Sequence, residues 1–180
     1  MKFLERWLSD TVSLVLALVL ALLAMQAPAL TRDYAGGLLQ VAQDIRRDID
    51  QRESSARQYY NLPAGDDDAV IAALQTREPS NAATLAQSIG RAQALQTGYD
   101  QISAAPPLLQ PVVAAGDALR DAHGYKRPVL RTALDNFTPQ IVFSMAAAIY
   151  GLAGLVLGTF LGSLFISAAS GFRRPARRTW

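Results

Sequence analysis

Three consecutive aspartates, Asp66, Asp67 and Asp68, and the single histidine, His123, are the residues of this sequence best suited to metal binding or acid–base chemistry. The aspartates directly precede an apolar run, residues 69–74, where acidic side chains cap a helix and face the positive end of its dipole. No histidine or further acid close in the sequence completes a ligand set, and His123 has no serine, cysteine or carboxylate pair beside it. We therefore predict a capping role for the aspartates and no catalytic or metal-binding role for His123.

The rest of the chain contains no recognisable catalytic or metal-binding motif. There is no glycine-rich phosphate loop, metal motif or hydrolase elbow, and no cysteine to form a disulfide or thiolate site. Residues 31–136 carry eleven basic and thirteen acidic side chains, a balance that disfavours nucleic-acid binding. We expect a protein that is not an enzyme, with no catalytic, cofactor-binding or metal-binding residues and no cofactor.

Two long charge-free stretches, Thr11–Leu30 and Phe137–Phe172, organise the chain. A membrane-spanning helix needs about 20 apolar residues. We predict an all-α membrane protein in which two transmembrane helices flank a helical extracytoplasmic segment, as a hairpin or small bundle. The predicted parts are a first span within residues 1–30, a helical domain over 31–136, a second span over 137–172 and a basic tail over 173–180.

The ends of the two spans follow from their prolines. Residues 1–30 are predicted to form one helix that ends or kinks at Pro28, and Thr138 with Pro139 is predicted to begin the second helix. A cleaved signal peptide is the alternative for the first span, with the cut after Ala27. Glu5 and Asp10 in the N-terminal region, and an apolar core near full span length, favour an uncleaved anchor instead.

Orientation is predicted from the tail, which has four arginines, Arg173, Arg174, Arg177 and Arg178, and no acid. Basic residues beside a span favour the cytoplasm. We therefore expect both termini in the cytoplasm and residues 31–136 to be extracytoplasmic. The four arginines are expected to contact anionic lipid headgroups.

Helical periodicity dominates the predicted domain. Thr31 is expected to cap a helix that bends at Gly36–Gly37, and a heptad-like seam follows: Leu38, Ala42, Ile45, Ile49, Arg52, Ala56 and Tyr59. The seam predicts either packing on another helix of the same chain, which we favour, or an oligomeric coiled coil. A short helix follows the aspartates, and the next helix, capped by Ser80 or Asn81, is expected to pack antiparallel on the seam helix. Pro111 begins another short helix whose apolar residues are Val112, Val113 and Leu119.

A stripe of small residues marks the second span: Ala147, Gly151, Gly154, Gly158 and Gly162. Their spacings of four, three, four and four place them on one helix face. Small residues allow close backbone approach, on which helix association in lipid depends. The partner is either the small face of the first span, formed by Ser13, Ala17, Ala21 and Ala24, or a second copy of the protein.

The layout resembles a known family. The first span ends in Ala-Pro, a helical segment rich in glutamine and alanine follows, and then come Asn136-Phe137-Thr138-Pro139 and the glycine-patterned run Gly151–Gly158. This arrangement resembles a proteobacterial family of two-span inner-membrane proteins classed as a domain of unknown function. The resemblance implies a membrane location and brings no catalytic residues.

Together these observations predict a non-enzymatic scaffold, assembly factor or accessory subunit. Its expected partners are membrane lipids and either another membrane protein or further copies of itself, with no nucleic acid. The alternative is a component of an oligomeric transporter or channel. Neither apolar stretch contains an acidic or basic residue, although transport paths usually need some, so the scaffold is favoured.

Overall fold

The structure is a computed structural model that describes residues 2–62, 65–139 and 144–171. Within these ranges all regular secondary structure is α-helical. The helices are α1 (Lys2–Met25), α2 (Ala27–Tyr60), α3 (Asp67–Arg77), α4 (Pro79–Ala104), α5 (Gln110–Leu119), α6 (Arg127–Asp135) and α7 (Met145–Gly171). They form two compact units: the helical pair, which contains α1 and α7, and the central domain, Leu30–Thr138.

The junction between α1 and α2 differs from the prediction of one helix over residues 1–30. Helix α1 ends at Met25, and the N–H of Gln26 donates to the carbonyl of Leu23 at 3.1 Å in a turn. Pro28 lies in the first turn of α2 and therefore begins a helix instead of ending one. Proline is tolerated there because the first N–H groups of a helix have no intrahelical acceptor.

The start of the second apolar helix was also predicted wrongly. Residues 137–139, including Thr138 and Pro139, are not helical, and α7 begins at Met145. Ser144 precedes the helix, and its hydroxyl accepts a hydrogen bond from the N–H of Ala147 at 3.1 Å. Ser144 is thus the N-cap. The predicted end near Phe172 lies outside the described residues.

Helix α2 runs from Ala27 to Tyr60 without a break, contrary to the predicted cap at Thr31 and bend at Gly36–Gly37. Thr31 is buried within the helix. Gly37 has a packing role, because a Cβ there would lie 2.9 Å from Cγ1 of Val129 in α6. Tertiary packing therefore offsets the low helix propensity of glycine.

The core of the central domain has two halves that show α2 and α4 to be antiparallel. The first half, hereafter the proximal core, joins the start of α2 to the end of α4 and to α5 and α6: Tyr34, Ala35, Leu38, Ala42, Leu95, Ile102, Ala114 and Val129. The second half, hereafter the distal core, joins the end of α2 to α3 and the start of α4: Ile49, Ala56, Val70, Leu74, Ala82, Leu85, Ile89 and Ala92. The α2 seam thus packs within this chain, while its Arg52 and Tyr59 are exposed.

Capping residues define the short connections. The prediction for the aspartates is confirmed, since Asp66 accepts a hydrogen bond from the N–H of Ala69 at 3.0 Å and Asp67 and Asp68 lie in the first turn of α3. The predicted caps Ser80 and Asn81 are wrong, because α4 begins at Pro79, directly after Glu78. The side chain of Asn81 instead donates to Glu78 at 2.9 Å.

The last two helices of the domain pack on the proximal core. Helix α5 begins at Gln110, with Pro111 in its first turn as predicted. Val113 packs against the core, but Val112 and Leu119 are exposed, at 62% and 84%. Helix α6 was not predicted.

Candidate functional site

The small residues of the two apolar helices meet inside the helical pair. A Cβ built on Gly154 would lie 2.6 Å from the carbonyl oxygen of Leu20 and 2.8 Å from Cβ of Ala24. At Gly158 it would collide with the backbone of Ala17, which is 1% exposed. These separations are too short for any side chain, so the two helix backbones touch where glycine stands.

The same seam continues at both ends. A Cβ on Gly162 would lie 3.0 Å from Oγ of Ser13, and one on Gly151 would lie 2.7 Å from Cγ of Met25. Ala21 lies opposite Gly154, with its Cα 2.9 Å from the built Cβ, and Ala147 is 2% exposed. The structure therefore brings the predicted residues of the two spans together within one chain. Sequence reasoning missed the contacts of Met25 and of the Leu20 carbonyl oxygen, because neither residue is small.

The opposite faces of both helices carry large apolar side chains that are exposed, several of them by half or more: Leu14, Val15, Leu18, Leu22, Leu23, Leu152, Val156, Leu157, Phe160 and Leu164. Hydroxyl groups on α7 bond back to its own carbonyls, as Thr159 does to Val156 at 2.8 Å. This surface is far more apolar than water-soluble proteins usually expose. The helical pair thus has a mostly apolar outer surface and an inner seam where the two helix backbones are in contact.

Two helices are long and apolar enough to cross a membrane by length and composition. One lies in the helical stretch Asp10–Tyr60, near the N terminus, and the other is Met145–Leu164. The predicted headgroup-binding arginines, Arg173, Arg174, Arg177 and Arg178, lie outside the described residues.

The central domain holds a buried polar cluster that sequence reasoning missed. The hydroxyl of Tyr34 donates to Asp117 at 2.9 Å across 83 residues of sequence. Lys126 forms an ion pair with the other oxygen of Asp117, and their side chains are only 15% and 3% exposed. Burial, then the hydrogen bond and charge of Asp117, raise the pKa of Tyr34. Gly98 makes room for the cluster, because a Cβ there would lie 3.0 Å from Asp117.

Asp121 organises the loop that brings Lys126 to this cluster. Its carboxylate accepts hydrogen bonds from the backbone N–H groups of Tyr125, Lys126 and Arg127 at 2.9–3.0 Å. Partial burial acts to raise the pKa of Asp121, but the three donors outweigh it and hold the pKa below its usual value. The loop and the start of α6 are therefore fixed by one carboxylate.

A second charged cluster links α2 to α3. Arg46 donates twice to Asp67, at 2.5 and 3.0 Å, which is bidentate geometry, and this lowers the pKa of Asp67. Glu53 is 5% exposed beside them, and Arg57 lies 3.4 Å away. Burial, followed by the charge of Asp67, raises the pKa of Glu53. These contacts tie the aspartate run to α2, so Asp67 has a structural partner.

The remaining polar candidates are His123 and a cleft at the distal end of the central domain. The His123 ring stacks on Tyr125 with centroids 5.5 Å apart. An open cleft of about 530 Å³ at the distal end is lined by residues that include Arg52, Tyr60 and Glu78, and the Tyr60 hydroxyl donates to Glu78. Among the described residues no group of three histidine, cysteine or acidic side chains could hold a metal ion.

Comparison with known proteins gives a family and no function. No curated protein and no solved structure matches the chain. One family model matches residues 8–175, which takes in most of α1, all of α7 and the whole central domain. The chain therefore belongs to the family described as protein of unknown function (DUF2937).

Proposed function

We propose that this protein is a non-enzymatic scaffold or accessory subunit of the bacterial inner membrane. In this proposal α1 and α7 span the bilayer as a hairpin, and the central domain projects into the periplasm. The observation that carries it is the construction of the helical pair, which combines a closed glycine seam with an exterior of exposed leucine, valine and phenylalanine.

The exposed apolar face supports the membrane location. Leu18, Val156 and Phe160 are 49–64% exposed. In water this apolar surface would remain hydrated, and the protein would not gain the free energy of burying it. Hydrocarbon tails remove that cost, and helices satisfy their own backbone groups in lipid. No aspartate, glutamate, lysine, arginine or histidine lies between Thr11 and Leu30 or between Met145 and Gly171, which fits a bilayer core.

The seam also bears on how a partner is contacted. Because Gly154 and Gly158 approach α1 of the same chain, the glycine face is already occupied. A membrane partner or a second copy would therefore contact the outer, leucine-rich faces. Outside the membrane, α2 offers charged and aromatic side chains that the core leaves exposed, such as Arg52 and Tyr59.

Topology is tested with single cysteines, because the natural chain has none. The variant Gln87→Cys carries its thiol on an exposed part of α4. A membrane-impermeant maleimide should label it in cells with a permeabilised outer membrane and an intact inner membrane. A cysteine added after Trp180 should react only after the inner membrane is broken. Labelling of the C-terminal thiol in intact cells would overturn the proposed orientation.

The scaffold role is tested by purification in mild detergent. We expect a defined membrane protein, or further copies of this chain, to co-purify in fixed stoichiometry. Variants that replace Asp66, Asp68 or His123 with alanine should keep that association, and their genes should restore the natural phenotype to a deletion strain. If these variants fail to restore the phenotype while the association persists, the protein would instead be an enzyme.

A further inference from the structure

We propose that the turn before α5, together with the outer face of that helix, rests on an anionic lipid surface. The inference depends on the proposed membrane spans and adds a second contact with the bilayer, made by the central domain itself. This lipid-facing surface, hereafter the α5 face, consists of Leu108, Leu109, Val112, Ala115 and Leu119.

The spacing of these residues forms a continuous stripe. Leu108, Val112, Ala115 and Leu119 follow one another at intervals of four, three and four, and the turn hydrogen bonds Leu109 N–H to Pro106 O and Val113 N–H to Leu109 O carry the helical geometry across the start of α5. All four are exposed, with leucine and valine values of 42–84%. The opposite side of α5, Ala114 and Asp117, is buried.

The place of the α5 face within the domain points to lipid. It is the outer side of the helix whose inner residue Ala114 packs in the proximal core, which is built on Tyr34 and Leu38 near the first residue of the domain. Val129, in the last helix before Thr138, packs in the same core. The chain enters the domain at Leu30 and leaves it at Thr138, and at both places it leads to a candidate span. The apolar stripe thus lies in the half of the domain that is tethered to the membrane.

Charge gives a second, independent reason. Between Pro106 and Thr138 the exposed charged residues are three arginines, Arg120, Arg127 and Arg131, and one acid, Asp135, which pairs with Arg131 at 3.7 Å. The other charges there are satisfied internally, since Asp117 pairs with Lys126 and Asp121 accepts three backbone N–H groups. Arg120 directly follows the last residue of the stripe, and the exposed charges of this part of the domain have a positive balance, which favours contact with an anionic bilayer.

The test uses the full-length protein in vesicles of phosphatidylcholine with phosphatidylglycerol. One environment-sensitive fluorophore is attached through Val112→Cys, and matched proteins carry it through Leu157→Cys in α7 or Ala86→Cys on the exposed side of α4. Brominated lipids quench fluorophores in the bilayer, and aqueous iodide quenches those in water. We expect lipid quenching at position 112, strongest with bromines near the headgroup, deeper quenching at 157 and iodide quenching alone at 86.

The outcomes separate this inference from the proposed spans. Lipid quenching at 157 with only iodide quenching at 112 would overturn the surface contact and leave the spans standing. Absence of lipid quenching at both positions would overturn both. Protection at 112 that rises with the protein-to-lipid ratio, without lipid quenching, would assign the α5 face to a second copy of the chain.

Substitutions then test the chemistry of the contact. Leu119→Glu, at a site 84% exposed, should leave the fold intact by circular dichroism and reduce lipid quenching at position 112 several-fold. Replacing Arg120, Arg127 and Arg131 with glutamine should remove the difference between vesicles with and without phosphatidylglycerol. If neither Leu119→Glu nor the replacement of the three arginines changes the lipid quenching at position 112, the inference is overturned.

Discussion

Ser13 and Gly162 face each other across the α1–α7 seam, with Oγ of Ser13 3.0 Å and its Cβ 3.2 Å from the position of a Cβ on Gly162. Disulfides join Cβ atoms about 3.5–4.5 Å apart. The double variant Ser13→Cys, Gly162→Cys should therefore oxidise readily with copper phenanthroline in membranes, after a small separation of the helices. The product should migrate as an altered monomer on a non-reducing gel.

The control for this disulfide keeps Ser13→Cys and moves the second cysteine to Leu161, which is 47% exposed on another face of α7. This pair should oxidise poorly. A disulfide-linked dimer as the main product of the first pair would show that the seam forms between chains, contrary to the structure.

Gly158 is the tightest position of the seam, because an added Cβ would strike Cα and the backbone nitrogen of Ala17. Gly158→Leu should force the helices apart, at a cost of about 1–3 kcal/mol or more. In the Ser13→Cys, Gly162→Cys background the rate of disulfide formation should fall accordingly. The readout is the fraction oxidised against time.

Ala153→Leu is the matched control for that substitution, since it adds similar bulk to the same helix at an exposed position. Its oxidation rate should equal that of the parent. Equal rates for Gly158→Leu and Ala153→Leu would mean that the seam is not close-packed in the membrane.

Periodic features could be predicted from the sequence, whereas contacts between residues distant in the sequence could not. The spacing of Gly151, Gly154, Gly158 and Gly162 suffices to place them on one face, because helix geometry is local. Their partner could not be chosen from sequence, since α1 and a second copy both offer small residues. The Tyr34–Asp117 bond joins residues 83 positions apart, and no local pattern marks it.

The predicted ends of the apolar helices were wrong for a different reason. Pro28 was interpreted as a helix end, and Thr138 with Pro139 as a helix start, because proline disrupts helices but is accepted in their first turn. Both uses are compatible with the same local sequence. The choice is made by packing, as at Gly37, where contact with Val129 stabilises a helix that local propensity would weaken.

Asp117 should be the most sensitive polar residue of the central domain. Asp117→Asn leaves the Lys126 ammonium, 15% exposed, without a charged partner, which typically costs about 3–5 kcal/mol in a buried pair. Thermal or urea unfolding of the purified chain, followed by circular dichroism, measures the loss. The double variant Asp117→Asn, Lys126→Met should recover much of it, because the unpaired charge is gone.

The exposed pair of Arg131 and Asp135 provides the comparison. Its atoms are 3.7 Å apart and its side chains are 84% and 69% exposed, so Asp135→Asn should change stability by less than about 0.5 kcal/mol. Equal losses from Asp117→Asn and Asp135→Asn would contradict the buried ion pair.

Asp121 should make stability depend on acid pH. Its three backbone N–H donors bind the charged carboxylate, so its pKa is lower in the folded state than the usual 3.8. A carboxyl with a lowered folded pKa adds stability above its unfolded pKa and loses it as pH falls through the folded pKa. Asp121→Asn should cost about 1–3 kcal/mol at pH 7, from the lost charge-assisted hydrogen bonds.

The quantity to measure is the difference in the free energy of unfolding between the natural protein and Asp121→Asn. It is measured in urea from pH 7 down to pH 3. It should stay constant while both states keep the carboxylate charged, and it should shrink below about pH 4, where the unfolded carboxyl binds its proton first. The control for the change in net charge is Asp100→Asn, since Asp100 is exposed and its carboxylate accepts a hydrogen bond from the side chain of Gln96 and not from a row of backbone N–H groups. A difference for Asp121→Asn that is independent of pH would show that shape, and not the carboxylate charge, fixes the loop before α6.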